Sequence, residues 1–344
     1  MSKWEEKRLE DIIDVNPPVK LKKGESYPFI DIDKVSPTRR SVTNEEVKVY
    51  DGQSSSKFCD GDTVFSRITP CLENRKIAKV AIEGDAAFGS TEFYVFRAKK
   101  KKADARFTYY LTSSDAVVLP AINSMTGASG RQRADKRFIQ RLKLNLPDLP
   151  TQERIADILS AYDDLIEANN HRIELLEQTA QELYREWFVR FRFPGYENAK
   201  FEDGIPEGWS YVRFGKAIDI IDGDRGVNYP KQEEFYPEGD CLFLNAGNVT
   251  SKGFNFSACS YSTKEKDSIL RKGKLQHGDV VLTTRGTVGN VAFYNETMTF
   301  SEMRINSGMV ILRNLGVVSP EYIYTSLHHE YLQKLMTMYA SGSA

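Results

Sequence analysis

Three long polar side chains, those of Arg131, Gln132 and Arg133, follow the small-residue turn Thr126–Gly130. Arginine binds phosphate oxygens, and arginine and glutamine also donate hydrogen bonds to the edges of bases. The glycines of the turn would let the backbone approach a phosphate closely. This run is therefore suited to contact with nucleic acid, although a solvated surface loop is an equal interpretation of the same residues.

Six further candidates for nucleic-acid contact lie on loops that follow strand-like runs. Their side chains could hold phosphates or read base edges, but a sequence does not show which of them face a groove of DNA, so a solvated role stays open for each. They are Arg67, Arg75 and Lys76 in the first half of the chain, and Arg285, Asn290 and Arg304 in the second half.

Motifs for covalent chemistry are incomplete or missing in this sequence. Asn16-Pro-Pro-Val19 is similar to the Asn-Pro-Pro-Tyr motif of adenine methyltransferases, but valine replaces the aromatic residue that stacks on a flipped base, and no Gly-rich cofactor turn accompanies it. Pro147-Asp148 has no nearby Glu-x-Lys partner, and the GxxxxGK[ST] nucleotide motif does not occur. We expect no catalytic residue in this chain.

The cysteines and histidines predict neither a metal site nor a disulfide framework. The four cysteines are widely spaced, and the four histidines do not complete a ligand set. The opening residues have no apolar run that could act as a signal peptide, and no stretch approaches the roughly 20 apolar residues of a membrane span. We therefore predict a cytoplasmic protein with free thiols.

The charge is distributed unevenly along the chain. The formal net charge is −1, but residues 1–150 carry 27 Lys and Arg against 21 Asp and Glu. This excess is mild support for a phosphate-contacting first half, because many proteins with such a balance bind no DNA.

The two halves of the sequence are distant copies of each other. Each copy opens with a tryptophan, Trp4 or Trp209, and each contains a Gly-Asp turn before a strand-like run, at Gly61-Asp62 and Gly278-Asp279. The offset of about 205 residues is far longer than that of a solenoid repeat, so it indicates a duplicated domain. Other matched runs are Tyr27–Ser36 with Cys241–Thr250, Thr91–Arg97 with Ser307–Arg313, Phe107–Leu111 with Tyr322–Tyr324, and Thr126–Gly130 with Tyr339–Gly342.

A long helix is predicted between the copies, with Thr151 as its N-cap, ending near Phe191 before Pro194-Gly195. Its apolar positions alternate by four and three residues, the repeat of a coiled coil, in which the polar Asn169 would penalise wrong registers. The alternative is a core helix of a single domain. The predicted helix interface consists of Ile155, Leu159, Tyr162, Ile166, Asn169, Ile173, Leu176, Leu183 and Trp187.

The central segment resembles the conserved region of the specificity (S) subunits of type I restriction-modification systems. The residues that carry the resemblance are LPDLPTQERIADIL at Leu146–Leu159, DDLIEANN at Asp163–Asn170 and LYREWFV at Leu183–Val189. With the duplicated flanks, the resemblance covers essentially the whole chain. It departs from the family pattern where the second copy ends at Ser341–Ala344, since the first copy continues into a long helix at that point.

The resemblance implies an α/β (α+β) fold with two target-recognition domains, at 1–148 and 203–344, and a central region at 149–202 with a coiled-coil helix. It also implies that the chain binds double-stranded DNA, each domain recognising half of a bipartite target. Methyltransferase (M) and restriction/translocase (R) subunits would be its partners. S-adenosylmethionine, ATP and Mg would act on those subunits, and this chain would bind no cofactor.

Three alternatives to a working specificity subunit stay open at this point. A chain without the distal helix could be an inactive or silent specificity cassette. A fused methyltransferase would bind cofactor by itself, and a coiled-coil scaffold without a DNA role would form oligomers indifferent to DNA. Because an unpaired helix exposes an apolar stripe, we also expect self-association or dependence on the methyltransferase subunit.

Overall fold

The computed structural model describes residues 4–43, 46–128 and 130–340. The chain divides into two compact units, unit 1 at Met1–His171 and unit 2 at Arg172–Ala344, and the division falls inside one continuous helix. Ser129 and residues 341–342, which belong to the matched turns of the two copies, lie outside the described residues, as do residues 343–344. The predicted domain boundaries at 148/149 and 202/203 stay predictions.

Unit 1 is built from short strands with helices packed against them. Buried strands such as Thr63–Ser66 and Phe93–Ala98 are rich in β-branched and aromatic residues, which suit a pleated surface. In chain order the elements are β1 Glu5–Arg8, α1 Leu9–Ile12, β2 Ile13–Val15, β3 Ser26–Ile30, β4 Ser41–Thr43, β5 Glu46–Val49, β6 Ser56–Phe58, β7 Thr63–Ser66, β8 Ile77–Ala81, β9 Ala87–Gly89, β10 Phe93–Ala98, α2 Ala105–Ser113, α3 Asp115–Asn123, α4 Lys136–Gln140, β11 Lys143–Leu146 and α5 Leu149–Tyr184.

Unit 2 repeats this pattern after the second half of α5. Helix α5 runs into one π-helical turn at Arg185–Val189, and short 3-10 turns follow at Tyr196–Asn198, Gln232–Glu234 and Ala246–Asn248. The other elements are β12 Phe201–Glu202, β13 Ile205–Pro206, α6 Phe214–Ala217, β14 Ile218–Asp222, β15 Cys241–Leu244, β16 Val249–Thr250, β17 Gly253–Phe254, β18 Tyr261–Ser262, α7 Lys264–Ile269, β19 Val280–Thr283, β20 Val291–Phe293, β21 Met303–Ile305, β22 Met309–Asn314, α8 Pro320–Leu327 and α9 Glu330–Ala340.

The main sheets of the two units have the same strand order. Unit 1 has β2-β10-β7-β8, extended by β4, and unit 2 has β14-β22-β19-β20. In both units a parallel pair lies in a second sheet, β3 with β9 and β15 with β21. The predicted fold class, α/β (α+β) with two similar units and a long helix, is confirmed.

The apolar cores lie on the faces of these main sheets. In unit 1 the core under α2 and α3 contains Leu9, Ile13 and Phe96, all buried. In unit 2 the equivalent layer contains Ile218, Leu312 and Ile323. Each core therefore packs the helices against the main sheet and holds the strands of that sheet in place.

Helix α5 begins at Leu149, three residues before the start that a cap at Thr151 predicts. The carboxylate of Asp148 accepts a hydrogen bond from the Thr151 backbone N–H at 3.1 Å, so Asp148 caps the helix and Thr151 lies within its first turn. Pro150 is tolerated there because the first turn of a helix has no partner for its missing N–H. The predicted cap at Thr151 is therefore wrong by three residues.

Separate sets of contacts attach the two ends of α5, one within each unit. In unit 1 the contacts are polar: Tyr110 donates to Asp163 at 2.6 Å, and Arg40 pairs with Asp164 at 2.6 Å. In unit 2 they are mainly aromatic, because Phe188, just beyond the helix, packs edge-on against Tyr322 with ring centroids 4.8 Å apart.

Candidate nucleic-acid interface

The same buried ion pair occurs at the same place in both units. Asp62 accepts two hydrogen bonds from Arg97, at 2.7 and 2.6 Å, and Asp279 accepts two from Arg313, at 2.9 and 2.8 Å. In each unit the pair joins the Gly-Asp turn to the neighbouring long strand, and the carboxylate raises the pKa of the arginine. The pair fixes the register of the central strands and supports the duplication predicted from sequence.

The register defines an equivalent edge in each unit, where the strand after the Gly-Asp turn ends. In unit 1, Arg67 donates its backbone N–H to the carbonyl of Glu92 at 2.9 Å, and in unit 2 Thr284 donates to Gly308 at 2.8 Å. The edge of unit 1 thus contains Arg67 and the turn before β10, and that of unit 2 contains Thr284, Arg285 and the turn before β22. The register matches Arg67 with Thr284, the residue before Arg285.

Glu92 lies at the centre of the edge in unit 1 and joins two predicted contact residues. Arg133 donates two hydrogen bonds to its carboxylate, at 2.9 and 2.6 Å, and the Arg67 Nε donates a third at 3.2 Å. The hydrogen bonds from Arg133 lower the pKa of Glu92, with the nearby charge of Arg67 acting in the same direction. The Arg67 guanidinium also lies over the ring of Tyr94, 5.5 Å from its centroid.

Arg131 and Gln132 lie beside this cluster. The Thr69 N–H donates to the Gln132 carbonyl at 3.0 Å, and the Gln132 N–H donates to the Thr69 hydroxyl at 3.1 Å, so these two bonds anchor the loop. The Arg131 side chain is exposed, and within the described part of the chain it makes no ion pair or side-chain hydrogen bond. The structure therefore brings Arg67, Arg131, Gln132 and Arg133 together at one edge.

The side chains of Arg75 and Lys76 are directed elsewhere. Arg75 donates to the Ser113 carbonyl at 3.1 Å and pairs with Asp115, at the junction of α2 and α3. Lys76 donates to the Ile32 carbonyl at 2.9 Å. Both residues are engaged in contacts within unit 1, so they are weaker candidates for DNA contact than the residues around Glu92.

The three residues predicted in unit 2 have different environments. Arg285 is exposed, beside the turn before β22. The Asn290 side chain donates to the Val249 carbonyl at 2.9 Å, and it joins two loops. Arg304 is only 4% exposed and donates to the carboxylate of Asp267 at 2.8 Å, so its guanidinium is held inside the unit. Of the three, only Arg285 has an exposed side chain that could contact DNA.

Sequence reasoning missed a group of exposed cations in unit 2. Arg225, Arg271 and Lys272 line one open cavity with the loop after β14. The signal that could have located it is the run Asp222-Gly-Asp-Arg-Gly226, in which two glycines flank a charged turn. Arg225 also donates to the Ser307 carbonyl at 3.3 Å, which places this cavity next to Arg285.

Comparison with protein families identifies the group to which this structure belongs. Residues 1–178 match the family model described as type I restriction modification DNA specificity domain, and the match covers more than half of the chain. The chain belongs to this family.

Two relatives of this specificity-domain protein come from Methanocaldococcus jannaschii. The specificity subunit of the type I restriction enzyme MjaVIII is 30% identical over 159 residues, which are 45% of this chain and 36% of that protein. The MjaIX specificity subunit is 25% identical over 259 residues, 70% of this chain and 57% of that protein. The matched regions thus span from about a third to somewhat over half of these relatives.

A solved structure shows the same fold. The S subunit of a type I restriction-modification system from M. genitalium superimposes with a TM-score of 0.55 at 14% identity, over 99% of this chain and 80% of that chain.

An apolar stripe follows the length of α5 in this specificity-domain protein. The predicted interface residues are exposed, except for Ile155, which is partly buried, and Leu176 is 69% exposed. The residues that attach α5 to each unit, such as Gln152 and Tyr184, occupy other positions of the helix. Exposed apolar stripes are typical of surfaces that pack against another helix, and the predicted helix interface stays a prediction.

The described residues contain neither a candidate metal site nor a helix that could cross a membrane. Among them, no group of three or more His, Cys, Asp or Glu side chains could hold a metal ion. The helices in the same residues are all too short or too polar to cross a membrane.

Proposed function

We propose that this chain is the DNA-recognition subunit of a type I restriction-modification complex. Each unit would recognise one half of a bipartite target in double-stranded DNA, with unit 1 using Arg67, Arg131, Gln132 and Arg133, and unit 2 using Arg285. The family assignment supports this proposal. The observation that carries it is that two duplicated units present long polar and cationic side chains at equivalent strand ends.

The geometry of unit 1 suits recognition of base edges. An arginine reads guanine through two parallel hydrogen bonds, and such contacts discriminate only if the guanidinium is held in place. The carboxylate of Glu92 fixes both Arg67 and Arg133, with two bonds to Arg133. We propose that Glu92 orients these arginines, while the exposed Arg131 and the partly buried Gln132 contact DNA directly.

The exposed stripe on α5 is the proposed docking surface for methyltransferase subunits, through which restriction/translocase subunits would join the complex. Self-association through the same stripe is the alternative occupancy. Methylation of adenine, ATP-driven translocation and cleavage would be reactions of those partners with S-adenosylmethionine, ATP and Mg. In this proposal the chain contributes recognition and no covalent step, and it acts in the cytoplasm, where the host DNA is.

The test is to co-express the chain with the methyltransferase encoded beside it and to map N6-methyladenine across the host DNA by long-read sequencing. The proposal predicts a bipartite methylated motif that disappears when this chain is deleted. A soluble complex that methylates no motif would indicate an inactive cassette. A motif that persists after the deletion would refute the proposal.

A further inference from the structure

Unit 2 contains an open cavity of about 440 Å³ that no predicted contact residue lines. One wall is the loop Asp222–Gly226, which follows β14. The other wall is Arg271-Lys272, which follows α7. By the register of the two main sheets, Asp224 corresponds to Val19 of unit 1, and Arg225 corresponds to Lys20. The acidic residue of this loop is therefore a feature of the second copy.

A buried carboxylate joins the two walls. Asp224 is only 4% exposed, and its two oxygens accept hydrogen bonds from the backbone N–H groups of Gly226 and Arg271, both at 2.7 Å. The bond from Gly226 is the main cause that lowers the pKa of Asp224, so the carboxylate stays charged at neutral pH. Both oxygens already accept backbone hydrogen bonds, and the carboxylate holds the walls together.

The two glycines of the loop bring the backbone close to its neighbours. A Cβ on Gly223 would lie 2.2 Å from the carbonyl oxygen of Asn306, so no other residue fits there without a backbone shift. A Cβ on Gly226 would lie 2.7 Å from Nη2 of Arg271, which shows that the guanidinium lies directly against this backbone. The loop therefore fixes where the Arg271 charge is presented.

The cations at the mouth of the cavity are only partly compensated. Arg225 lies 3.6 Å from Asp222. In the part of the chain that the structure describes, the side chains of Arg271 and Lys272 make no ion pair and no hydrogen bond, and both are exposed. Among the residues that line the cavity, three cations face two carboxylates, one of which is Asp224, so the cavity has a net charge of +1.

From this arrangement we propose that the cavity binds a backbone phosphate of the DNA, through the guanidinium of Arg271 and the ammonium of Lys272. Arginine and lysine are the usual phosphate ligands, and such contacts position a protein on DNA without reading its sequence. The turn that accepts the Arg225 hydrogen bond at Ser307 continues to Gly308, beside Arg285. The inference rests on the proposed function, and it places a phosphate anchor beside the proposed base contact of unit 2.

The test is the salt dependence of DNA binding by the full chain in complex with its methyltransferase. The double variant Arg271→Gln/Lys272→Gln is compared with wild type on labelled duplexes that contain or lack the target. The plot of log Kobs against log[salt] has a negative slope, and its magnitude should decrease by about 0.9 for each phosphate that the variant no longer neutralises. Affinity should fall roughly tenfold, equally on both duplexes.

A matched control removes the same charge from the other end of β14. Arg213 and Lys216 are exposed and precede that strand, whereas the cavity follows it, so Arg213→Gln/Lys216→Gln should leave the slope unchanged. A second comparison is Arg271→Lys, which keeps the charge and should retain most of the slope.

Three results would overturn the inference. One is a wild-type slope in the Arg271→Gln/Lys272→Gln variant, and another is an equally reduced slope in the control. The third is a change in which bases are preferred, since that would show base reading in place of phosphate binding. A wild-type complex that binds neither duplex would refute the proposed function itself, and the two failures are therefore distinguishable.

Discussion

Removal of the repeated carboxylate from one unit should destabilise that unit strongly. In Asp279→Ala, Arg313 loses two charged hydrogen bonds, of 2.9 and 2.8 Å, and the Gln276 backbone N–H loses an acceptor at 2.7 Å. Breaking a buried pair on one side costs about 3–5 kcal/mol, because it leaves a charge without compensation. Arg313 is 27% exposed on its side chain and can still recruit water, so we expect the lower end, about 3 kcal/mol.

This destabilisation can be measured as a change in Tm by differential scanning calorimetry. For a unit of this size each kcal/mol corresponds to about 2–4 °C, so the Tm of the Asp279→Ala protein should fall by about 6–12 °C. The equivalent change in unit 1, Asp62→Ala, should have a similar effect, because Asp62 makes the same bonds to Arg97 and accepts the Cys59 N–H at 2.7 Å.

The control is Glu296→Ala, which removes an exposed carboxylate from the loop after β20 of the same unit. It should change the free energy of unfolding by less than about 0.5 kcal/mol, as is usual for surface substitutions. A destabilisation below about 1 kcal/mol in Asp279→Ala would refute the reasoning that this pair fixes the central strands.

Three further substitutions test the two proposed surfaces. Glu92→Gln should lower stability at neutral pH: Arg133 depresses the pKa of Glu92 in the folded state, so its stabilisation is present above the ordinary glutamate pKa of about 4.3 and is lost as pH falls through the depressed value. Arg131→Gln should relax base preference in one half-site, seen by methylation mapping, without changing Tm. Leu176→Glu should prevent co-purification of the methyltransferase, because it places a charge in the exposed stripe.

Each of these predictions has a contrary outcome, and Leu176→Glu also has a control variant. The difference between wild type and Glu92→Gln should shrink in urea unfolding as pH falls below about 4, and a constant difference would count against the ion pair. An unchanged motif in Arg131→Gln would remove Arg131 from the interface. Gln178→Glu adds the same charge at an exposed polar position of α5, and equally weakened partner binding in that variant would show an effect of charge alone.

The sequence predicted the duplicated architecture, because the features that define it are local. A tryptophan at the start of each copy and a Gly-Asp turn before a strand are visible without any tertiary contact. The 3.5-residue spacing of α5 is likewise a property of one segment. These patterns predicted both units and the helix. The helix is capped by Asp148 and not by Thr151, because Pro150 fits the first turn.

The environment of individual cations could not be predicted, because their partners come from distant segments. Nothing near Arg304 in sequence indicates that Asp267 lies 2.8 Å from its Nε. The same limit applies to Arg133 and Glu92, which are separated by 41 residues. The cavity of unit 2 was missed for a related reason, since Asp224 joins loops that are far apart in the chain.

Recognition of a separate half-site by each unit can be measured by methylation mapping with unit-specific variants. Strains would carry wild type, Arg131→Gln in unit 1 or Arg285→Gln in unit 2, each with the same methyltransferase. We expect a bipartite N6-methyladenine motif in which Arg131→Gln relaxes one half and Arg285→Gln relaxes the other. If both variants altered the same half, or if neither altered the motif, the assignment of one half-site to each unit would be contradicted.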